Sequence, residues 1–102
     1  MVRKPSTPTR IVLQAFLDAP TDETYGFELA EVTGLASGTI YPILRRLEED
    51  GLIADRWEEV EAGGQRRRRR YYHLTAEGRR VARTVTADQS RGLRLLSPGW
   101  SR

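Results

Sequence analysis

The stretch Ala30-Glu31-Val32-Thr33-Gly34-Leu35-Ala36-Ser37-Gly38-Thr39-Ile40-Tyr41-Pro42-Ile43-Leu44-Arg45-Arg46-Leu47 decides the fold. Two helices that cross steeply through a short turn need a small residue where their backbones approach, and Ala30 supplies it. The turn needs a residue tolerant of positive φ, and Gly34 supplies that. Leu35, Ile40, Ile43, Leu44 and Leu47 then follow, the last four as an i, i+3, i+4, i+7 stripe that reaches back into a shared core. Ser37 is the expected N-cap of the second helix. Pro42 sits most easily in a first turn and would draw that start toward Thr39. Ala-x-x-x-Gly alone is common in ordinary helical hairpins. Joined to Leu35, Ile40 and a hairpin downstream, it predicts a helix-turn-helix, with Thr33 departing from the apolar residue usual at its position.

Outward from this stretch the pattern is consistent. Ile11, Val12, Ala15, Phe16 and Leu17 predict a first helix from about Thr9 to Asp18, ended by Pro20. A second helix is expected from Tyr25 to Val32 with Thr24 as its cap, stopped by Gly34. Gly51 closes the third helix. Leu52 to Val60 and Arg68 to Leu74 read as strands about a Gly63-Gly64 turn. Thr75 caps a fourth helix, which Pro98-Gly99 ends. The predicted class is α+β, mainly α: a winged helix-turn-helix of three helices, a two-stranded β-hairpin wing and a C-terminal helix. Residues 1–8 read as a flexible arm, 9–75 as the binding domain, 76–97 as a dimerisation helix and 98–102 as a tail.

Composition narrows the function. The 102 residues suit one domain with a modest core, 38% of them hydrophobic and 30% charged. The absence of cysteine and the single His73 argue against disulfides and metal centres. No apolar run approaches the length of a membrane span, and the N-terminal residues lack the apolar stretch of a signal peptide. A cytoplasmic protein is expected, with no membrane association and no cofactor. No phosphate-binding glycine loop, nucleophile elbow or acid/base pair with a histidine is visible, so an enzyme is not expected. Residues 11–36 carry acids and no Lys or Arg, whereas residues 66–70 are five consecutive arginines. That asymmetry suits a polyanionic partner, double-stranded DNA above all.

Advancing about 100° per residue places Gly38, Pro42, Arg45 and Glu49 opposite the stripe of the third helix, flanked by Thr39, Tyr41 and Arg46. Gly38, Thr39, Tyr41 and Pro42 are candidates for close approach to a major groove. Arg45 would serve a base edge or a phosphate, and Arg46 a phosphate. The plainer use of both arginines is i,i+3 or i,i+4 pairing with Glu48, Glu49 or Asp50. In the hairpin, a turn at Gly63-Gly64 sets Glu61 opposite Arg66, Glu59 opposite Arg68 and Glu58 opposite Arg69, with Trp57 facing Arg70. Three arginines would then be occupied, leaving Arg67 and Arg70 as surplus. Exposed pairs are weak against a phosphate, so Arg66, Arg67, Arg68 and Arg70 are all candidate DNA contacts. Val81, Val85, Leu93 and Leu96 lie on roughly one side of the last helix and are the expected dimer contacts.

With these residues in place the sequence resembles the PadR family of winged-helix regulators, in the subgroup with a single C-terminal dimerisation helix. Tyr25-Gly26-Phe27-Glu28-Leu29 resembles the family's motif opening the second helix. Ser37 to Glu48 resembles its recognition helix, and Asp50-Gly51-Leu52-Ile53 the exit into the wing. Arg70-Tyr71-Tyr72-His73-Leu74-Thr75-Ala76-Glu77-Gly78 resembles the return strand and the start of the last helix. The resemblance implies a homodimer, a palindromic operator, repression and release by a small aromatic effector. The span from Leu29 to Ser37 is shorter than is usual in the family. The rival readings are a protein-interaction module whose basic wing binds an acidic partner, and an RNA-binding wing. Burial of Arg45 and Arg46 in salt bridges would favour the interaction module.

Overall fold

The computed structural model describes residues 5–21 and 23–89. The elements are α1 (Thr7–Asp18), β1 (Thr24–Tyr25), α2 (Gly26–Thr33), α3 (Ser37–Glu49), β2 (Ile53–Ala62), β3 (Gln65–Leu74) and α4 (Ala76–Gln89). α1 starts two residues before the expected Thr9 and so uses part of the expected arm. The Ser6 hydroxyl accepts from the Thr9 amide at 3.3 Å, and Pro8 lies in the first turn, where its fixed φ suits a helix.

Thr24 does not cap α2. It is a buried strand residue paired with Tyr72, and its hydroxyl donates to Glu28 Oε1 at 2.9 Å. Tyr25 occupies the N-cap position without a side-chain bond. The wing is therefore the outer part of a three-stranded antiparallel sheet, ordered β1-β3-β2, rather than a two-stranded hairpin. Two residues are too few for alternation to announce a strand. Only the edge of β3 makes β1 one.

The turn is built as its residues require. Gly34 has φ 75° and its amide donates to the Ala30 carbonyl at 2.9 Å. Thr33, the polar exception, donates its hydroxyl to the Leu29 carbonyl at 2.6 Å and accepts from the Leu35 amide at 3.2 Å. It thereby satisfies the backbone on both sides of the turn. α3 begins at Ser37, with Ala36 as its N-cap; the Ala36 carbonyl takes the Thr39 and Ile40 amides, so Ser37 is not the cap. Pro42 lies inside the helix and leaves the carbonyl of exposed Gly38 without its helical donor, a defect that solvent can satisfy.

Ile40, Ile43, Leu44 and Leu47 bury one face of α3 against Val12, Leu13 and Phe16 of α1, Leu29 of α2, and Leu52, Ile53, Tyr72 and Leu74 around the sheet. α4 closes this core. The Thr75 hydroxyl accepts from the Gly78 amide at 3.0 Å and donates to the Gly51 carbonyl at 2.8 Å, and the Thr75 amide donates to the Leu52 carbonyl at 3.0 Å. Val81 and Val85, expected at a dimer contact, are partly buried and pack against the chain's own core. The reason is that α4 lies against α1 on one side of that core. Leu93 and Leu96 lie outside the described residues.

Candidate nucleic-acid interface

The core stripe of α3 determines what its other side can do. Gly38, Thr39, Tyr41, Pro42, Arg45 and Arg46 are all exposed. Among the described residues neither Arg45 nor Arg46 forms a salt bridge. The nearby Glu48 is instead drawn across to the wing. The Tyr41 ring rests on the first turn of α2, where a Cβ at Gly26 would stand only 2.6 Å from its hydroxyl and 2.7 Å from a ring carbon. That close approach is what a glycine at this position permits, and it holds the ring in place.

β2 and β3 pair in the register that the Gly63-Gly64 turn implies: Glu61 faces Arg66, Glu59 faces Arg68, Glu58 faces Arg69 and Trp57 faces Arg70. Both glycines have positive φ, 61° and 78°, as a tight hairpin turn demands. Facing is not pairing, however. Within the five-arginine run the salt bridge to a wing glutamate is diagonal, Arg66 to Glu59 at 3.8 Å, with the arginine side chain 76% exposed. The Arg68 guanidinium lies 4.6 Å over the Trp57 ring and that of Arg69 4.6 Å over Tyr25. Arg67 stands opposite Val60. Glu58 contacts Arg56 at 3.3 Å, and Arg56 also grips Glu23 through two bonds of 2.6 Å, which hold the Glu23 carboxyl below the usual range. Cross-strand glutamates therefore occupy less of the arginine run than the register alone suggests.

Arg70 is the correction. It is not surplus: its Nε donates to Asp55 Oδ2 at 2.5 Å and one terminal nitrogen to Glu48 Oε1 at 3.0 Å. It also lies over Trp57 and Tyr72, at 5.6 and 5.1 Å. Burial and the adjacent Asp55 push the Glu48 carboxyl up, while the hydrogen bond with Glu48, and then Arg70, push Asp55 down. Arg70 is thus the bolt between the end of α3 and the base of the wing.

Helix and wing meet at a hollow of about 330 Å³, lined among others by Phe27, Tyr41, Trp57, Arg68 and Arg69. Phe27, Trp57 and Arg69 were not among the expected DNA-binding residues. The parity of Trp57 with Ile53 places both on one sheet face, but β2 outruns the core before it reaches Trp57. Their juxtaposition needs α2, α3 and the wing together. A larger hollow, about 620 Å³, lies on the opposite sheet face between Glu23, Arg56, Tyr71 and His73.

The described residues contain no group of three or more potential metal ligands and no helix long and apolar enough to cross a membrane. Residues 19–84 match the model of the transcriptional regulator PadR-like family. Among solved structures, a protein of Streptococcus mutans UA159 is similar at 28% identity, with 88% of this chain and 85% of that one aligned and a TM-score of 0.65. A PadR family transcription regulator of Clostridium difficile R20291 is similar at 27% identity, over 83% of this chain and 91% of that one, with a TM-score of 0.63. A transcriptional regulator homologue of Pyrococcus horikoshii OT3 shares the fold at 23% identity, over 88% of this chain and 84% of that one, with a TM-score of 0.58. No curated protein matches by sequence. The family match spans well over half of the chain, across the helix-turn-helix, the wing and most of α4: this protein belongs to the PadR-like family of transcriptional regulators, DNA-binding proteins rather than enzymes.

Proposed function

We propose that the chain is a cytoplasmic repressor that binds a palindromic operator as a homodimer, with α3 in the major groove and the wing on the flanking backbone. The observation that carries this reading is the exposed face of α3, with Arg45 and Arg46 outside any salt bridge, continuous through Tyr41 with the wing arginines. The same observation weighs against an interaction module, which would use those arginines in salt bridges. Gly38, Thr39, Tyr41, Pro42 and Arg45 would approach base edges, and Arg46, Arg66, Arg67 and Arg68 the phosphates. Arg70 leaves the DNA-binding set because two carboxylates hold it. Dimerisation through the last helix and release by a small aromatic effector rest on the family resemblance.

The direct test is a gel-shift titration against the DNA upstream of the protein's own gene at several salt concentrations. Light scattering at micromolar concentration should accompany it and report twice the 11.6 kDa chain mass. A strictly monomeric protein, or binding indifferent to DNA sequence, would refute the proposal.

The wing arginines separate in such a titration. Arg67→Ala should weaken binding to all sequences alike and reduce the log–log salt slope by roughly one unit for each phosphate no longer neutralised. Arg70→Ala should instead lower the melting temperature. It leaves Glu48 and Asp55 facing each other, a loss of about 1 kcal/mol once the partial exposure of the cluster is discounted. If Arg70→Ala flattened the salt slope at unchanged melting temperature, the bolt assigned to it would be wrong.

A further inference from the structure

Phe27, Tyr41 and Trp57 are the large apolar side chains that stand exposed among the described residues, at 63%, 45% and 50%. Exposed aromatics scattered singly over a surface mean little. These come from α2, α3 and β2 and all line the same hollow between helix and wing. Two of the rings are held in place. Tyr41 rests on Gly26, and Trp57 lies beneath the guanidinium groups of Arg68 and Arg70. Above this apolar floor the charge is positive, because Asp55 and Glu48 meet Arg70 but no carboxylate pairs with Arg68 among the described residues.

We infer that Phe27 and Trp57, with Tyr41 between them, form an apolar seat for the deoxyribose–phosphate backbone of bound DNA. Deoxyribose faces would lie on the rings and the adjoining phosphate on Arg68. The inference rests on the repressor reading and extends it. Charge complementarity and continuity select this occupant: the hollow opens beside the outward face of α3, so a duplex lying along α3 and the wing must pass over it. An apolar contact releases no counterions, so the seat adds affinity that salt does not screen.

The test is Phe27→Ala and Trp57→Ala, titrated against the DNA upstream of the gene and against a random-sequence duplex over a range of salt. Each should weaken binding by about tenfold or more, the scale of burying one large apolar side chain. The salt slope should stay at the wild-type value. Trp57→Tyr, which keeps a ring for the guanidinium groups and the sugar, should recover most of the affinity and guards against a folding defect in the alanine variant. Trp57 and Trp100 are the two tryptophans of the chain, so Trp100→Phe leaves Trp57 as the only indole, and its fluorescence should change when DNA is added. Wild-type affinity in Phe27→Ala and Trp57→Ala would overturn the seat and leave the repressor reading standing. A lowered affinity with a flattened slope would also overturn it, since the rings would then act only by placing arginines. An indole signal that answers benzoate and not DNA would make the hollow an effector pocket. Failure of the wild-type protein to bind the upstream DNA would overturn the repressor reading and this inference with it.

Discussion

Gly78→Ala is expected to lower the melting temperature by roughly 10–20 °C, although it places a better helix former in a helix. Propensity alone predicts a gain of up to about 1 kcal/mol. The structure reverses the sign. A Cβ on Gly78 would overlap the Leu52 carbonyl oxygen and stand 2.7 Å from its carbon and 3.0 Å from its Cα. These are backbone atoms and cannot swing away. Leu52 is fixed on both sides, its amide bonded to the Leu47 carbonyl at 2.9 Å and its own carbonyl to the Thr75 amide at 3.0 Å, with the side chain buried. α4 must therefore lift off the junction between α3 and β2, loosening the Thr75 cap and the packing of Ala82 against the core. Overpacking costs about 1–3 kcal/mol when side chains can adjust, and more when they cannot. For a domain of this size each kcal/mol lost shifts the midpoint by roughly 4–8 °C. Thermal melts followed by circular dichroism decide the matter, and an unchanged midpoint would refute the close packing of α4 on Leu52. Gly38→Ala is the matched control. It also adds a methyl group within a helix, yet nothing lies within 4 Å of its Cβ, so its midpoint should hold or rise.

Arg45→Ala should have the opposite profile, with lost operator affinity and an unchanged fold. The side chain is exposed and outside any salt bridge among the described residues, so its removal should alter stability by no more than about 0.5 kcal/mol. An arginine on a base edge discriminates by about 1–3 kcal/mol, and a symmetric dimer would forfeit that discrimination at both half-sites. The expected fall in specific affinity is thus on the order of a hundredfold, with binding to unrelated sequences much less affected. Tyr41→Ala should combine both effects, because its ring rests on Gly26 and still presents 45% of its surface. Comparing the melting temperature with the binding isotherm separates the contributions. Should Arg45→Ala bind the operator as the wild-type protein does, with the same salt dependence, α3 does not read DNA through this face.

Features that depend on neighbours close along the chain were legible before any tertiary contact was known. The stripe Ile40, Ile43, Leu44, Leu47 specified which side of α3 is buried and hence which side faces out. Gly34 and Gly51, both at φ 75°, marked where α2 and α3 stop, and the Thr75 hydroxyl marked where α4 begins. Gly63-Gly64 suggested the pairings of the wing on the condition of a two-residue turn, since a one-residue change in turn type would alter every one. The structure has that turn, and its register runs ten residues to Ile53 and Leu74. Local patterns settle such matters because backbone conformation and side-chain direction follow from residues a few positions apart.

Which partner a long side chain takes was decided only by the tertiary structure. Arg70 was expected to be surplus because its cross-strand neighbour is Trp57. Its carboxylates are Asp55, diagonal to it across the hairpin, and Glu48, on a helix 22 residues away in sequence. Arg68 was expected to meet Glu59 and lies over Trp57 instead. Thr24 had the chemistry of a cap, and the edge of β3 made it a strand residue. Val81 and Val85 had the spacing of an interface, and part of their surface packs against the chain's own core. In each case the residue type offers several partners of nearly equal energy, and the choice falls to whichever distant element packing brings within reach.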